Sequence, residues 1–388
     1  MENKYVITDE FIYLKNLDKN LYRIEAVNDF RLKDGTFISA GTKGGFLEKE
    51  ENLSQEGKCW IADNAMVYDN ALVKDDAVVG GNAKVYNYAL VGDSVKIIKN
   101  AEISDFARLT GEVKVSGNAK ISGSSQLMDN CEIWDNAVIC GKAKIAGLSR
   151  VFGDAVVEEK VYLDNYAVVS GHGWVYGNCT VCNHGIVRDN AQVCGNAEVW
   201  GFAEMMGNAK ASGEAKIHGN CHVGGNSYIT DKAEIAGYAN ISGDTVVKDN
   251  ANVVGFSSVT GKCVISGNAQ LYGSPYVYGK TCVTDDAQVY GNAKIYGNTL
   301  VAGRSQVGDG AEIFGNVKLY DNVKVKYHSR VHGTLTLKDN VVVKSDLSGY
   351  GVLKGNMEIT LDTIVKVPKK YKERLNDKNK KENTGIEM

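Results

Sequence analysis

Cysteine and histidine are the residues of this sequence whose spacing could support chemistry. Cys179 and Cys182 form a C-x-x-C pair, which is the spacing of many zinc and redox sites. Two H-x-x-x-H pairs are also present, His218/His222 and His328/His332. On a helix this spacing places both imidazoles on one face, as in zinc enzymes. Whether the members of any pair can act together therefore depends on the secondary structure that carries them.

The chain from Cys59 to Asp346 divides into consecutive six-residue blocks without an insertion, 48 hexads in 288 residues. Position three is Val, Ile or Leu in 46 of 48 hexads, and position one is small in 46 of 48. Position five is Gly, Asp or Asn in 44 of 48, and position six is most often Asn. Alternate side chains of a strand share a face, so positions one and three point inward. Each hexad is therefore predicted to be a short strand and a turn, stacked in parallel ladders.

This register separates the paired residues. Cys179 falls on an inward position and Cys182 on an outward one, so both cannot ligate one ion without breaking the strand. His218 and His222 fall on different sides of a corner. We therefore predict no metal ion and no cofactor bound by a single chain, although a site completed by a second subunit stays open. The cysteines at position one are predicted to be small buried residues; they are Cys59, Cys131, Cys179, Cys221 and Cys263.

The composition favours an ordinary soluble protein. Charged residues make up 23% of the chain and the formal net charge is −3, which gives no indication of nucleic-acid or membrane binding. Residues 1–10 lack the apolar core of a signal peptide. Nine cysteines that fill core positions suit a reducing compartment. We predict a cytoplasmic protein that binds neither membranes nor nucleic acids.

The hexad pattern [LIV]-x-[GD]-[ND]-[small]-x resembles the repeat of left-handed β-helices, the trimeric LpxA-like transferase superfamily. Residues 41–61 resemble the YdcK-like branch of that superfamily in three elements: Gly44-Gly45-Phe46, Asn52-Leu-Ser-Gln55 and Gly57-x-Cys59-Trp60-Ile61. The resemblance implies three hexads per left-handed coil. Similar segments occur widely in phage and prophage proteins, which implies a mobile-element origin.

We therefore predict an all-β, single-stranded parallel β-helix; its 48 hexads, divided by three, correspond to 16 three-sided coils. Residues 1–58 are predicted to form an N-terminal β cap with strands at 22–27 and 36–38. Residues 59–346 are predicted to form the β-helix, and residues 347–388 a terminal strand and a basic helical tail. Residues 366–381 carry eight basic and two acidic residues. This tail is predicted to be either solvated or in contact with an acidic partner.

Aromatic residues recur at intervals of three hexads, the implied length of one coil, so their side chains should stack. One column follows a corner at position six, and Asn220 interrupts it: Leu148, Tyr166, His184, Phe202, Tyr238 and Phe256. A second column contains Tyr278, Tyr296 and Phe314, and a third pair is Tyr272 and Tyr290. Exposed apolar ridges usually mark contacts. Three interpretations remain: subunit packing, a cover by the tail or another segment, and a stacking platform for sugars or another flat ligand.

The superfamily resemblance implies an acyltransferase with a histidine base near a subunit boundary, for which His184 and His172 are the candidates. Such enzymes usually interrupt the β-helix with a loop that helps to build the pocket, and this chain has no insertion in its hexads. We therefore predict a non-catalytic rigid scaffold or protein-binding module that associates with a protein partner or with itself, for example as a trimer. The alternatives are a hexapeptide-repeat acyltransferase with inter-subunit sites and a polysaccharide-binding rod that uses the Tyr278 column.

Overall fold

The computed structural model describes residues 3–366, which are built almost entirely from β-strands. They fall into two compact units, residues 3–224 and 225–366. Within each unit a typical strand pairs in parallel with the strand three hexads later, as in the pairing of Lys84 with Glu102 and of Tyr228 with Val246. Two further strands lie between such partners, so each coil has three sides. This pairing confirms the predicted all-β parallel β-helix.

The first unit begins with an antiparallel sheet. Its strands are β1 (Tyr5–Leu14), β2 (Lys19–Ala26), β3 (Phe30–Arg31), β4 (Phe37–Ile38) and β5 (Lys43–Leu47), and a 3-10 turn follows at Glu50–Asn52. β2 pairs antiparallel with β1 and with β5, and β3 pairs with β4 as a separate hairpin. β5 also pairs in parallel with the strand Met66–Val67 of the coils. β5 therefore joins the antiparallel cap to the first coil and covers an edge that would otherwise be open.

Two adjacent glycines allow β5 to come this close. A Cβ atom at Gly44 would lie 2.5 Å from the carbonyl oxygen of Ile61, and one at Gly45 would lie 2.5 Å from the carbonyl oxygen of Ala65. Any larger residue at either position would push β5 away from the coil. The Gly-Gly pair that marks this part of the sequence thus has a steric cause.

The coils of the first unit have three sides, each a ladder of two-residue strands. The first side contains Trp60–Ile61, Val78–Val79, Lys96–Ile97, Lys114–Val115, Glu132–Ile133, Arg150–Val151, Val168–Val169, Ile186–Val187, Glu204–Met205 and His222–Val223. The second contains Met66–Val67, Lys84–Val85, Glu102–Ile103, Lys120–Ile121, Val138–Ile139, Val156–Val157, Trp174–Val175, Gln192–Val193 and Lys210–Ala211. The third contains Leu72–Val73, Leu90–Val91, Arg108–Leu109, Gln126–Leu127, Lys144–Ile145, Tyr162–Leu163, Thr180–Val181, Glu198–Val199 and Lys216–Ile217.

Each position of the hexad has a distinct structural role. Side chains at positions one and three, such as Ala143 and Ile145, are fully buried and form the core. Position five turns the corner with a positive φ, for example 73° at Gly141 and 55° at Asp63. Where position five is aspartate, its carboxylate often accepts the backbone N–H one coil later; the Asp63 oxygen lies 2.8 Å from the nitrogen of Gly81. Glycine therefore supplies conformational freedom at the corner, whereas aspartate adds a hydrogen bond between coils.

The second unit continues the same design with longer strands toward its end. One side contains Tyr228–Ile229, Val246–Val247, Val264–Ile265, Cys282–Val283 and Leu300–Val301, and another contains Glu234–Ile235, Asn252–Val253, Gln270–Gly273, Gln288–Gly291, Gln306–Val307, Lys324–Val325, Val342–Val343 and Glu358–Ile359. The remaining strands are Asn240–Ile241, Ser258–Gly261, Tyr276–Gly279, Lys294–Ile295, Glu312–Leu319, Arg330–Leu337, Leu347–Leu353 and Thr363–Val365.

The number of coils differs from the prediction. The described chain forms about 18 turns rather than 16. Parallel pairing begins before the first hexad, at β5, and continues after the last hexad, where Val331 pairs with Leu347 and Leu347 pairs with Thr363. The partners in these last pairs are closer in sequence than three full hexads. Dividing the sequence into six-residue blocks therefore cannot detect them. The predicted helical tail lies outside the described residues.

Candidate functional site

The longest exposed apolar feature of the first unit is a ridge along one corner. It consists of Leu148, Tyr166, His184 and Phe202, one residue per coil at position six, and we call it the corner ridge. The rings of Tyr166 and His184 lie 4.7 Å apart and 9° from parallel, and those of His184 and Phe202 lie 4.3 Å apart and 20° from parallel. The ring faces therefore cover one another, and the ring edges project into solvent.

A shallow groove of about 290 Å³ runs beside the corner ridge. Its other side is formed by outward side chains of three consecutive strands of one ladder, Arg150, Val168 and Ile186. The groove exists because Val168 and Ile186 are shorter than the ring column next to them. An exposed apolar ridge next to an apolar trough is a surface typical of protein contacts.

The two ends of the groove differ in charge. Arg150 at one end is exposed, and among residues 3–366 no carboxylate forms an ion pair with it. Beyond the other end, Glu204 pairs with Arg188 and lies 3.1 Å from Nδ1 of His222. Asp189 lies 3.2 Å from Arg188. This cluster contains two carboxylates and one guanidinium beside the imidazole of His222.

The second aromatic column lies on an outward strand position of the second unit. Tyr278, Tyr296, Phe314 and His332 stack with ring separations of 4.6, 5.1 and 4.7 Å, and we call them the ring ladder. His332 was not predicted to be part of this column, although its spacing of three hexads from Phe314 could have placed it there. Only the outer faces of Tyr278 and His332 are not stacked within the ladder. A sugar or other flat ligand would have to use those faces.

Polar groups anchor the ring ladder. The hydroxyl of Tyr296 donates a 2.7 Å hydrogen bond to Glu312, and Nε of Arg330 donates a 3.0 Å hydrogen bond to the same carboxylate. The guanidinium of Arg330 also lies 5.5 Å from the centre of the Phe314 ring. The hydrogen bond from Tyr296 and then the charge of Arg330 lower the pKa of Glu312. Burial followed by the contact with Glu312 raises the pKa of Tyr296 to about 12.

The other predicted rings form separate pairs in the second unit. Tyr238 and Phe256 stack at 4.9 Å on a corner, and Tyr272 and Tyr290 stack at 5.4 Å on a strand face. Tyr290 leans over Gly308 so closely that a Cβ atom there would clash with the phenol ring. On the side of Tyr272 that faces away from Tyr290, Asn252 and Val254 help to line an open groove of about 360 Å³.

The paired cysteines are placed as the register predicts. Cys179 is buried and Cys182 is partly exposed, and all nine cysteines are free thiols. Burial, followed by the nearby Cys194, raises the pKa of Cys179 to about 12, so this thiol stays protonated at neutral pH. A protonated thiol is a poor metal ligand and a poor nucleophile.

The histidines are dispersed among different partners. His184 is stacked within the corner ridge, and no carboxylate of the described chain contacts it. His172 occupies a corner position, where its Nδ1 lies 3.5 Å from Asp154 and where Asp154 also accepts a 2.8 Å hydrogen bond from the amide of Asn136. His218 instead stacks on Trp200 at 4.3 Å. His172 is therefore the candidate base that has an orienting carboxylate.

Several aromatic contacts were missed by the sequence reasoning. They are Tyr68–Tyr86, Tyr88–Phe106, Trp134–Phe152 and Trp200–His218, each stacked at 4.3 to 5.1 Å. All of them join residues three hexads apart, so the same spacing would have revealed them. Over residues 3–366, no group of three or more His, Cys, Asp or Glu side chains is arranged to hold a metal ion, and no helix there is long and apolar enough to cross a bilayer.

Comparison with known proteins identifies one short region of similarity. No protein-family model matches the sequence. An 85-residue stretch is 36% identical to a protein of Escherichia coli strain K12 described as "Uncharacterized acetyltransferase YdcK". This stretch of similarity and the β-helix fold together fit a hexapeptide-repeat β-helix family. The match covers 20% of this chain and 23% of YdcK, so the chain spans less than a quarter of the length of that relative.

Proposed function

We propose that this YdcK relative is a non-catalytic β-helix protein whose corner ridge and adjoining groove bind another protein surface. The observation that supports it is the exposure of the ridge: Phe202 is 58% exposed and Tyr166 50%, although both are large apolar rings. No hydrogen bond within the described chain uses the hydroxyl of Tyr166 or the ring nitrogens of His184. Such a surface gains free energy when a partner excludes water from it.

The strands and the groove beside the ridge favour a binding function over a catalytic one. The strands along the groove pair directly with one another, so the backbone ladder passes without interruption from Arg150 to Val168 and from Val168 to Ile186. The groove is shallow and open, whereas small-molecule sites are usually concave and enclose most of their ligand. A rigid repeat surface is better suited to a macromolecular partner.

The test is affinity capture from the cells that naturally make this protein, with a reversible cross-linker and identification by mass spectrometry. Phe202→Asp places a charge on the ridge and should abolish capture of the partner, other copies of this chain included. Phe106→Asp is the matched control, because Phe106 is also 58% exposed and stacks on one neighbour, Tyr88, at a different corner of the same unit. If no captured protein is lost with Phe202→Asp and kept with Phe106→Asp, the proposed function is wrong.

An acyltransferase is the second candidate, and the pair of His172 and Asp154 is the observation that favours it. A carboxylate beside Nδ1 would leave Nε2 of His172 free to accept a proton from a substrate hydroxyl or amine. The description of the E. coli relative as an acetyltransferase agrees with this chemistry. The site is exposed, so a second subunit would have to complete it.

Acetyl-CoA separates the two candidates. An acyltransferase should show a higher melting temperature with acetyl-CoA and should release free CoA with an acceptor, and His172→Ala should abolish the release. A binding protein should show neither effect. The predicted phage origin and cytoplasmic location belong to the same proposal and can be examined once the partner is identified.

A further inference from the structure

We propose that the second unit binds a neutral glycan in the groove beside Tyr272, with one pyranose ring packed on the free face of this side chain. The corner ridge belongs to the first unit, so the inference does not depend on the proposed function. We call the new site the Tyr272 groove. Its lining consists of Asn252, Val254, Gln270, Leu271 and Tyr272.

One side of the Tyr272 groove is an aromatic ring with an uncovered face. Tyr272 stacks on Tyr290 with ring centres 5.4 Å apart and planes 9° from parallel. At the same hexad position the two preceding coils carry Val254 and Ala236, which have no ring to cover the other face. Tyr272 is 37% exposed as a result. A pyranose presents an apolar face of C–H groups, and such a face gains free energy when it leaves water for an aromatic ring.

This aromatic ring is already held in position by the coils that follow it. Tyr290 lies against Gly308, where a Cβ atom would come within 2.0 Å of Cζ of the phenol ring. Any larger residue at that position would displace Tyr290 and the ring stacked on it. A side chain that is fixed before binding loses little conformational entropy when a ligand packs on it.

The Tyr272 groove also supplies uncharged hydrogen-bonding groups. Asn252 and Gln270 pair on adjacent coils, and no hydrogen bond between residues 3–366 uses either side-chain amide. The Oδ1 atom of Asn252 is buried without a donor, although buried polar atoms usually have partners. The χ2 angle of asparagine varies broadly, so this amide can turn toward the groove. Each amide can donate to one sugar hydroxyl and accept from another.

The chemistry of the lining selects the class of ligand. None of the lining residues is charged, and the acidic residue of the same column, Glu234, lies one coil before Asn252 and outside the lining. A phosphate or carboxylate group would therefore find no cation in the groove. A purely apolar ligand would leave the amides unpaired. A neutral sugar uses both the ring face and the amides.

Amides continue along the same outward column, which favours an oligosaccharide over a single sugar. Gln270 pairs with Gln288 and Gln288 pairs with Gln306, and Nε2 of Gln306 lies 3.4 Å from Oε1 of Gln288. From Asn252 to Gln306 the column spans three coils, about 14 Å along the axis. A glycan chain lying along it would contact several amides in turn. Because the groove is open, the affinity should be modest, with Kd on the order of 0.1–1 mM.

The first experiment is isothermal titration calorimetry of the full chain with neutral hexasaccharides: cellohexaose, maltohexaose, mannohexaose and chitohexaose. At least one of them should bind in the expected range. Tyr272→Ala removes the aromatic face and should weaken this binding by about tenfold or more. Tyr238→Ala is the matched control, because it removes another exposed tyrosine of the same unit that stacks on one ring, that of Phe256. The control should bind as wild type does.

The second experiment separates a ligand-binding role of the amides from a structural one. Gln270→Ala should weaken binding of the same hexasaccharide by about threefold to tenfold, the value of a lost hydrogen bond. Asn252→Leu should weaken it similarly and yet raise the urea midpoint of unfolding, because it removes a buried oxygen without a donor. If Asn252→Leu lowers the urea midpoint and keeps binding, this amide supports the fold and does not contact the ligand.

The inference is wrong if none of the four hexasaccharides binds, or if Tyr272→Ala and Tyr238→Ala bind equally well. Tighter binding of polygalacturonate or of AMP at the same residue would show that the ligand is not a neutral sugar, which also overturns the inference. Phe202→Asp should leave glycan binding unchanged. The protein-binding proposal for the corner ridge is therefore tested separately, and either can fail without the other.

Discussion

The corner ridge of the first unit and the ring ladder of the second contain similar rings at the same spacing, yet their surroundings differ. In the ladder, Tyr296 and Arg330 both bind Glu312, and the rings are half-buried. In the ridge, Phe202 and Tyr166 stand out from the corner, and no polar group of the described chain holds them. The difference lies in the position within the hexad: strand positions have neighbouring side chains on both sides, whereas position six stands at a corner.

This comparison shows that stacking by itself does not indicate a binding site. Rings stacked one coil apart stabilise the chain that carries them in both regions. The ring edges of the ladder are already hydrogen-bonded and packed within the chain, so a partner would gain little by contacting them. The ring edges of the corner ridge contact only water, so burial against another surface would be favourable. The lack of hydrogen bonds from neighbouring side chains is therefore the feature that indicates a binding surface.

The largest expected effect is a difference between the corner ridge and the ring ladder in how much each contributes to the free energy of unfolding. Phe314→Ala removes a half-buried ring that stacks on both Tyr296 and His332, so it should lower the free energy of unfolding by about 2–3 kcal/mol. Phe202→Ala removes an exposed ring stacked on one neighbour and should cost less than about 1 kcal/mol. Urea unfolding of both variants checks this. Equal losses of unfolding free energy would show that the ridge rings stabilise their coils as much as the ladder rings do.

A smaller effect concerns the corner beneath the ridge. Asn183 precedes His184 and has φ of 57°, in the left-handed region that β-branched residues resist. Asn183→Val should destabilise the chain by about 1–2 kcal/mol and also weaken the binding of the ridge, because it distorts the turn that presents His184. Asn183→Gly adopts the same φ freely and should change stability by less than about 0.5 kcal/mol. If urea unfolding shows that Asn183→Val is as stable as Asn183→Gly, the conformation of the corner does not depend on the residue at position five.

The sequence alone predicted the regular part of this fold well, because one physical rule repeats. A strand alternates inward and outward, and a glycine or aspartate must turn each corner, so the hexad specifies both pairing and burial. Three of the four residues that break the composition of position five, Lys99, Glu159 and Tyr327, still have positive φ of 63°, 65° and 59°. The stacked neighbours impose the turn on them at a cost of about 1–2 kcal/mol each.

The ends and the groove could not be predicted in the same way. β5 joins the coils through the close approach of Gly44 and Gly45, and the last coils are shorter than three hexads, so neither follows the repeat. The groove depends on the difference in length between Val168 or Ile186 and the rings beside them. That difference appears only when two adjacent columns are compared in space.

The pH dependence of stability measures how strongly Glu312 stabilises the ring ladder. Its pKa is lowered by Tyr296 and Arg330, so the carboxylate stabilises the fold above the ordinary glutamate pKa, and this contribution is lost as pH falls through the lower folded value. Glu312→Gln should therefore cost about 1 kcal/mol at pH 7 and progressively less below about pH 4. Urea midpoints of wild type and variant from pH 7 to pH 3 provide the measurement. A difference that does not change with pH would mean that packing, and not charge, anchors the ladder.

The smallest expected effect tests whether an exposed stacked corner ring is sufficient for binding. Phe256 is 63% exposed and stacks on Tyr238 at position six, as Phe202 stacks on His184. The adjoining strand presents the polar Asn240 and Ser258, where the ridge has Val168 and Ile186 beside it. Phe256→Asp should therefore leave partner capture unchanged, whereas Phe202→Asp should abolish it. Equal losses in the two variants would mean that any exposed corner ring binds, and the groove would then have no role of its own.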